Sequence, residues 1–218
     1  MNRIKKILLF RKHRGQSLLE LVIALGVIGV GMTALLSLTM ITVTGNRQSR
    51  FRFLGYNLAR EGVELVRGLR ENNYVSERVF NSDIGRGYAI IDPFWVDPFC
   101  PSGVIDCADP NNIWMKPRSV SPSCFSGAVW SELCRLYQSR ASTVYGYEPG
   151  LGTATPFYRQ LVISEICKTD GTIPGPTGNC GAKGVKGMQV TSDVRWKEGG
   201  RNYQATLTEQ LYDWRLSQ

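Results

Sequence analysis

A long apolar segment without a single charge most constrains how this chain folds. No Asp, Glu, Lys or Arg occurs from Leu21 to Thr44. A helix rises about 1.5 Å per residue, so this stretch makes about 36 Å of helix, enough to cross a hydrocarbon core of about 30 Å with some tilt. The sequence therefore predicts one membrane anchor, and a length of 218 residues leaves room for one modest domain.

Charge on the N-terminal side of this segment predicts its orientation. Six basic residues and no acidic residue precede Gly15, namely Arg3, Lys5, Lys6, Arg11, Lys12 and Arg14. Basic residues that flank the first apolar segment keep that side in the cytoplasm. We expect a single pass of the cytoplasmic membrane, with the N-terminus inside and the C-terminus outside. A removable secretory signal is disfavoured, because the apolar stretch exceeds a normal signal core and no small-x-small site closes it.

The formal charge of +8 indicates nucleic-acid binding only weakly. Subtracting the six basic residues of the leader leaves 20 basic against 18 acidic residues, a charge of about +2. The excess charge is therefore better explained by membrane topology than by a nucleic-acid partner.

A glycine and a glutamate mark the start of the apolar segment. Gly15 ends the basic leader, and Glu20 lies at the cytoplasmic edge of the uncharged run. A carboxylate drawn from this edge toward the bilayer centre costs on the order of 2–4 kcal/mol. An ordinary anchor gains nothing from it, whereas a helix that lines up beside similar helices gains an ion pair if a neighbour supplies a cation. Gly26, Gly29 and Gly31 favour such an array, because glycines let helix backbones approach closely.

The sequence from Gly15 to Glu20 resembles the processing site of type IV prepilins, the subunits of type IV pili, type II secretion pseudopili and DNA-uptake pili. The resemblance implies cleavage between Gly15 and Gln16 and methylation of the new amine on Gln16. It also implies that Glu20, the fifth mature residue, pairs with the amine of a neighbouring subunit during assembly. Two positions depart from the family pattern: Gln16 replaces the usual Phe, and Ser37 stands where many major pilins carry a helix-bending proline.

The resemblance also implies a role and partners. We expect a structural filament subunit at the cell surface, and a minor pilin because the external domain is rich in proline and cysteine and Gln16 is atypical. The implied partners are other pilin subunits, a prepilin peptidase, the assembly platform of a pilus or secretion system, and membrane lipid before assembly. No cofactor is implied. The alternatives are a type II secretion pseudopilin and a membrane-anchored extracellular binding or adhesion module that keeps its leader and does not polymerise.

Six cysteines lie in the predicted external part: Cys100, Cys107, Cys124, Cys134, Cys167 and Cys180. An even number in an oxidising compartment favours disulfides, and six cysteines allow 15 pairings. Sequential pairing (100–107, 124–134 and 167–180) makes three short loops and is the pairing we expect first. A zinc site is disfavoured, because no Cys-x-x-Cys occurs and the only histidine, His13, lies in the leader.

The helix is expected to continue beyond the apolar segment. Residues with apolar or small side chains recur at spacings of three and four along one face, namely Phe51, Leu54, Leu58, Gly62, Leu65 and Leu69. No proline occurs before Pro93, and Asn72-Asn73 is the predicted stop. We predict one helix from about Ser17 to about Glu71, with two helices broken near Gly45-Asn46 as the alternative.

The region after the helix is irregular in sequence. Repeated prolines and four of the six cysteines in residues 74–152 predict loops stapled by disulfides, because proline interrupts regular strand pairing. Short strands are predicted at Gly87–Asp92 and Ile113–Met115, and one or two helical turns at Ser131–Ser139. The tryptophans of this region, Trp95, Trp114 and Trp130, are expected to fill a core rather than to form a surface.

The last third has the alternation and composition of strands. Runs at Phe157–Ile166, Gly187–Lys197 and Asn202–Leu211 predict an antiparallel meander, with a turn at Glu198–Arg201 and a Gly- and Pro-rich linker at Thr169–Gly184. Trp196 and Trp214 are expected to pack on the long helix.

These predictions combine into an α+β fold: a long N-terminal helix packed on a small antiparallel β-sheet, with a disulfide-stapled, loop-rich region. The expected domains are a leader that is removed (1–15), a transmembrane or filament-core helix (16–44), its amphipathic continuation (45–73), the loop-rich region (74–152) and the sheet region (153–218).

Catalysis is not expected. The mature chain has no histidine, which excludes Ser-His-Asp and Cys-His machinery, and no phosphate loop with Gly-Lys-Ser/Thr occurs. Carboxylates are available at Asp83, Asp92, Asp97 and Asp106, but such residues are usually solvated or form turns. DNA capture by the helix arginines is also disfavoured, because interleaved glutamates and packing against other subunits explain them more simply. The chain is instead the expected substrate of a membrane peptidase.

Overall fold

A computed structural model describes residues 18–91, 117–120, 123–127, 129–140 and 144–217. Several predictions concern residues outside these ranges and stay predictions: the leader with Gly15 and Gln16, the strand at Ile113–Met115, Cys100, Cys107, Trp95, Trp114, Asp92, Asp97 and Asp106. The chain divides into two compact units, Met1–Gln48 and Ser49–Gln218.

One long helix, α1, runs from Leu18 to Val75 and confirms the predicted single helix. It continues through Gly45 and ends four residues beyond Glu71. The predicted stop acts through the side chain of Asn73, which is buried and donates to the carbonyl oxygens of Phe80 at 3.2 Å and Ser82 at 2.7 Å. These bonds turn the chain back after the last helical turn.

The described strands form one antiparallel sheet: β1 (Gly87–Ile90), β2 (Arg118–Ser119), β3 (Arg135–Ser139), β4 (Tyr145–Gly146), β5 (Gly152–Cys167), β6 (Val185–Glu198) and β7 (Arg201–Tyr212). The last three strands make the predicted meander, since β6 pairs along β5 on one side and along β7 on the other. Gly199 and Gly200 join β6 to β7 with φ of 56° and 77°. Glycine suits this two-residue hairpin turn, because the turn needs the left-handed backbone region.

The edge of β5 that does not pair with β6 pairs instead with strands from the irregular region. Ala89 of β1 pairs with Leu161, and Arg135 of β3 pairs with Tyr158. The prediction of helical turns across Ser131–Ser139 is wrong for most of that stretch: Glu132–Cys134 is one 3₁₀ turn, and β3 follows it directly. The open edge of the 16-residue β5 offers backbone partners to this segment, which its own short sequence does not indicate.

The second half of α1 packs on one face of the sheet. A Cβ atom at Gly55 would lie 2.6 Å from the ring of Trp196, and one at Gly62 would lie 2.5 Å from Ser192 Oγ, so helix and sheet approach at these glycines. Trp196 is buried there, and the ring centre of Trp214 lies 5.0 Å from that of Tyr74 in α1. Both predicted tryptophan contacts with the helix are therefore confirmed, as is the α+β fold.

Candidate functional site

The first half of α1 is a candidate assembly site, because its large apolar side chains are not buried by any of the described residues. Every large apolar side chain from Leu18 to Val43 exposes at least 54 % of its surface. Full burial of one such side chain contributes about 1.5–3 kcal/mol, so this surface strongly favours a lipid or protein environment over water. By length and composition α1 qualifies as a membrane-spanning helix.

Polar hydroxyl groups in this segment bond to the helix itself. Each donates to a carbonyl oxygen three or four residues earlier, at 2.8–2.9 Å: Thr33, Ser37, Thr39, Thr42 and Thr44. A hydroxyl bonded in this way carries little cost in an apolar environment. At Ser37, the position of the helix-bending proline in many major pilins, α1 therefore continues as regular helix.

Glu20 lies in the first turn of α1 and is exposed. Within the described ranges it has no cationic partner at ion-pair distance. A carboxylate is favourable in the first turn of a helix because it faces the positive end of the helix dipole. The carboxylate is thus free to pair with a cation from outside the described residues. Gly15 and Gln16, the predicted cleavage and methylation residues, lie outside those residues.

Two pairs of cysteines lie at disulfide distance in the globular unit. Cys124 pairs with Cys134 and Cys167 with Cys180, with Cα atoms 6.2 Å and 5.2 Å apart. These are two of the three pairs that sequential pairing predicts, and the third falls outside the described residues. The amide of Cys124 also donates to Gln160 Oε1 at 2.7 Å, which ties the first disulfide to β5.

A buried polar layer that the sequence analysis missed lies between α1 and the sheet. The apolar core forms two clusters, one containing Phe157 and Trp196 and the other containing Leu161 and Val190. Arg159 lies on β5 between the two clusters. Ser192 lies between them on β6, opposite Gly62 of α1.

Arg159 is completely buried and makes three hydrogen bonds, two of which hold α1 to the sheet. Its guanidinium donates from Nη1 to Leu58 O and Glu61 Oε1, both at 3.1 Å, and from Nε to Tyr147 Oη at 2.9 Å. Burial alone lowers the pKa of Arg159, but Tyr147 and Glu61 outweigh it and raise the pKa above its ordinary value. The side chain therefore stays charged. The sequence signal was available, because Arg159 is the only basic residue of β5 and stands beside the apolar run of Leu161, Val162 and Ile163, and a buried charge in such a place is usually paired.

The described residues contain no group of three His, Cys, Asp or Glu side chains arranged to hold a metal ion. The site features in these ranges are therefore an exposed apolar helical segment with Glu20 near its start and, within the globular unit, a buried arginine that holds the second half of α1 to the sheet.

Comparison with known proteins bears on the exposed half of α1. A family model described as the prokaryotic N-terminal methylation motif matches residues 10–36. The match supports a type IV pilin-like, prepilin-type protein, and this motif belongs to structural pilins and pseudopilins rather than to an enzyme family. It covers the predicted processing site and the start of α1 and ends before the globular unit. No curated protein and no solved structure matches the chain.

Proposed function

We propose that this protein is a minor pilin, a structural subunit of a type IV pilus-like filament. One observation carries the proposal: the segment that matches the methylation motif leads into the first half of α1, where every large apolar side chain from Leu18 to Val43 is exposed. A helical segment whose apolar surface is left open by the described residues is suited first to lipid and then to a bundle of similar helices. The globular unit is the part that the assembled subunit displays outside the cell.

The proposed assembly begins with removal of residues 1–15 by a prepilin peptidase. Cleavage between Gly15 and Gln16 creates a free amine on Gln16, which is then methylated and remains cationic. The apolar helix leaves the lipid and packs among neighbouring helices. Lipid is as apolar as the helices, so close packing drives this step more than hydrophobic burial, and Gly26, Gly29 and Gly31 permit it.

Glu20 sets the axial position of each subunit in this proposal. An unpaired carboxylate in an apolar bundle is costly, whereas the carboxylate of Glu20 beside the Gln16 amine of a neighbour is neutralised. Only one stagger between adjacent helices brings these groups together. The pair therefore specifies where a subunit sits, while the apolar surface supplies the contact.

The processing step is tested by intact-mass spectrometry of the protein recovered from cells that contain a prepilin peptidase. We expect the wild-type mass to lack residues 1–15 and fragment spectra to begin at Gln16. Gly15→Val should leave the leader in place, because a bulky side chain obstructs the peptidase. Gly15→Ala is the matched control, since it stays small and should still be cut. A wild-type protein that retains Met1 and stays monomeric would exclude this proposal and favour a membrane-anchored adhesion module.

A further inference from the structure

A small pocket opens on the face of the sheet opposite α1. Arg159 and Trp196 contact α1, and side chains alternate along a strand, so their neighbours Tyr158 and Lys197 project from the other face. These two residues line the pocket together with Val129, Trp130, Glu132, Arg135 and Pro156, and the pocket holds about 200 Å³. None of these residues takes part in the proposed assembly.

Two aromatic rings make the rigid part of the pocket. The ring centres of Trp130 and Tyr158 lie 5.3 Å apart, with their planes at 70°. Trp130 is held from behind by Phe125, whose ring centre lies 5.9 Å away. Val129 exposes 82 % of its surface beside this corner and extends the apolar wall. Trp130 exposes only 8 % of its surface, so it mainly supports the corner, and the half-buried Tyr158 with Val129 supplies the apolar surface on which the face of a ring-shaped ligand can pack.

Polar groups on the second wall are already ordered. Glu132 accepts hydrogen bonds from Tyr158 Oη at 2.9 Å and from Arg135 Nη1 at 3.2 Å. The Tyr158 bond is the main cause that lowers the pKa of Glu132, so the carboxylate stays ionised near neutral pH. Each carboxylate oxygen keeps a free lone pair, and Arg135 has further N–H groups beyond those bonded to Glu132 and Thr155 O. This wall both accepts and donates hydrogen bonds.

The pocket carries one uncompensated positive charge, that of Lys197. Its Nζ lies 4.9 Å from the ring centre of Trp130, and no carboxylate of the described residues pairs with it. The nearby Arg135 is neutralised by Glu132, and Arg195 is neutralised by Asp193 at 2.8 Å. An anionic group on a ligand would therefore find its partner in Lys197.

We propose that this pocket binds a sugar residue that carries a carboxylate, such as a uronic acid. The volume suits one six-membered ring, the aromatic corner suits the C–H face of a pyranose, and Glu132 with Arg135 suits its hydroxyls. Lys197 suits the carboxylate. A neutral sugar leaves the ammonium unpaired, and an apolar ring acid leaves the polar wall without hydroxyl partners.

Binding is tested with the full chain in a detergent that has no sugar headgroup. Glucuronic acid, glucose and cyclohexanecarboxylic acid are titrated separately and followed by saturation-transfer NMR. We expect a dissociation constant on the order of 1 mM for glucuronic acid, as befits a ligand of this size. The other two probes should bind about tenfold more weakly, since each lacks one of the two polar contacts. The proposal is overturned if glucose or cyclohexanecarboxylic acid binds as tightly as glucuronic acid, or if glucuronic acid shows no saturable binding.

Variants on exposed positions assign the binding to this pocket. Lys197→Gln should weaken glucuronic acid about tenfold and leave glucose unchanged, because it removes only the charge. Val129→Asp should also weaken glucuronic acid, by placing a like charge at the mouth. Lys168→Gln, an exposed lysine elsewhere, is the matched control and should change nothing. An equal loss of affinity with Lys168→Gln would show that the effect comes from net charge and would contradict the proposal. Glu20→Ala should bind glucuronic acid as the wild type does. Failure of the assembly proposal can therefore be distinguished from failure of the binding proposal.

Discussion

Residues 18–47 and residues 48–75 of α1 share one backbone and differ in what their side chains contact. The first stretch is exposed on every side. The second buries one face, formed by Gly55, Leu58, Ala59, Gly62, Val63, Val66, Leu69 and Asn73. Large apolar side chains all around the helix, from Leu18 to Val43, thus stay exposed among the described residues, whereas a single apolar stripe packs on a sheet.

Glycines and charges show the same contrast. A Cβ atom at Gly29 would meet nothing within 4 Å, whereas one at Gly55 would collide with Trp196. Glu20 has no cationic partner among the described residues, whereas Arg159 is buried against Glu61 and Tyr147. The second stretch is thus accounted for by contacts within the fold, whereas the first presents its apolar surface outward. Substitutions in the two stretches and in the sheet test this difference.

Loss of the Glu20 carboxylate should have the largest effect. We expect Glu20→Ala to be cleaved normally and to enter filaments at least about tenfold less than wild type, because the register-setting ion pair is gone. The measurement is the amount of subunit in sheared filaments relative to the membrane pool. Glu64→Ala in the second stretch is the matched control, since it removes only an exposed ion pair with Arg67. Normal filament levels of Glu20→Ala would count against the mechanism.

Arg159→Ala should destabilise the globular unit by about 3 kcal/mol, because it removes the cation that satisfies Leu58 O, Glu61 and Tyr147. The side chain of Glu61 is about one-third exposed, so water replaces part of the lost interaction and keeps the effect near the low end. The free energy of unfolding in urea, with the full chain in detergent, measures it.

Arg201→Met is the control for this change, since Arg201 is exposed on the last hairpin, and it should alter stability by no more than about 0.5 kcal/mol. If Arg159→Ala unfolds at the wild-type denaturant concentration, the buried layer does not fasten α1 to the sheet.

Removal of the disulfide between Cys167 and Cys180 should cost about 2–3 kcal/mol. The two cysteines are 13 residues apart, and a loop of this length loses about that much entropy when it is closed in the unfolded chain. The double variant Cys167→Ser/Cys180→Ser is compared with wild type in thermal unfolding. Added reductant should lower the midpoint of wild type more than that of the double variant, and equal shifts would argue that this pair is not bonded.

Alanine substitutions at one glycine in each stretch of α1 should have the smallest effect on stability, and they test the difference between the two stretches most directly. Gly55→Ala should destabilise the globular unit by about 1–3 kcal/mol, because Trp196 is packed against Phe157 and Tyr203 and has little room to move. Gly29→Ala should not destabilise it, because the added methyl meets nothing within 4 Å. Urea unfolding of both variants checks the difference. Equal losses of stability would show that the two stretches of α1 do not differ in how closely other residues pack against their glycines.

Much of this architecture could be predicted because its signals are local. The absence of proline and the spacing of apolar residues predicted α1, and alternation predicted β5, β6 and β7 within one to five residues at their ends. The stretch Ser131–Ser139 was predicted as helical turns, and β3 occupies most of it instead. Its strand conformation depends on pairing with β5, which no local pattern records.

The features of the candidate site also differ in whether the local sequence predicts them. The apolar run and Glu20 could be predicted directly, because an uncharged stretch of membrane length with one acid at its start is a contiguous pattern. The pocket around Trp130 was not, since its lining residues come from three separate parts of the chain. Trp130 itself is buried and fills a core, as predicted, yet its ring also forms one wall of that pocket.

Local sequence is enough to specify the long N-terminal helix with its apolar first half, the carboxylate at its start and the meander at the end of the chain. Each of these follows from neighbouring residues, because helix period, strand alternation and membrane length are properties of short windows. Tertiary structure alone decided that β1 and β3 complete the sheet along β5 and that Arg159 bonds Glu61, 98 residues away. Such contacts are selected by packing and by the need to satisfy buried charge, and both arise only when distant segments meet.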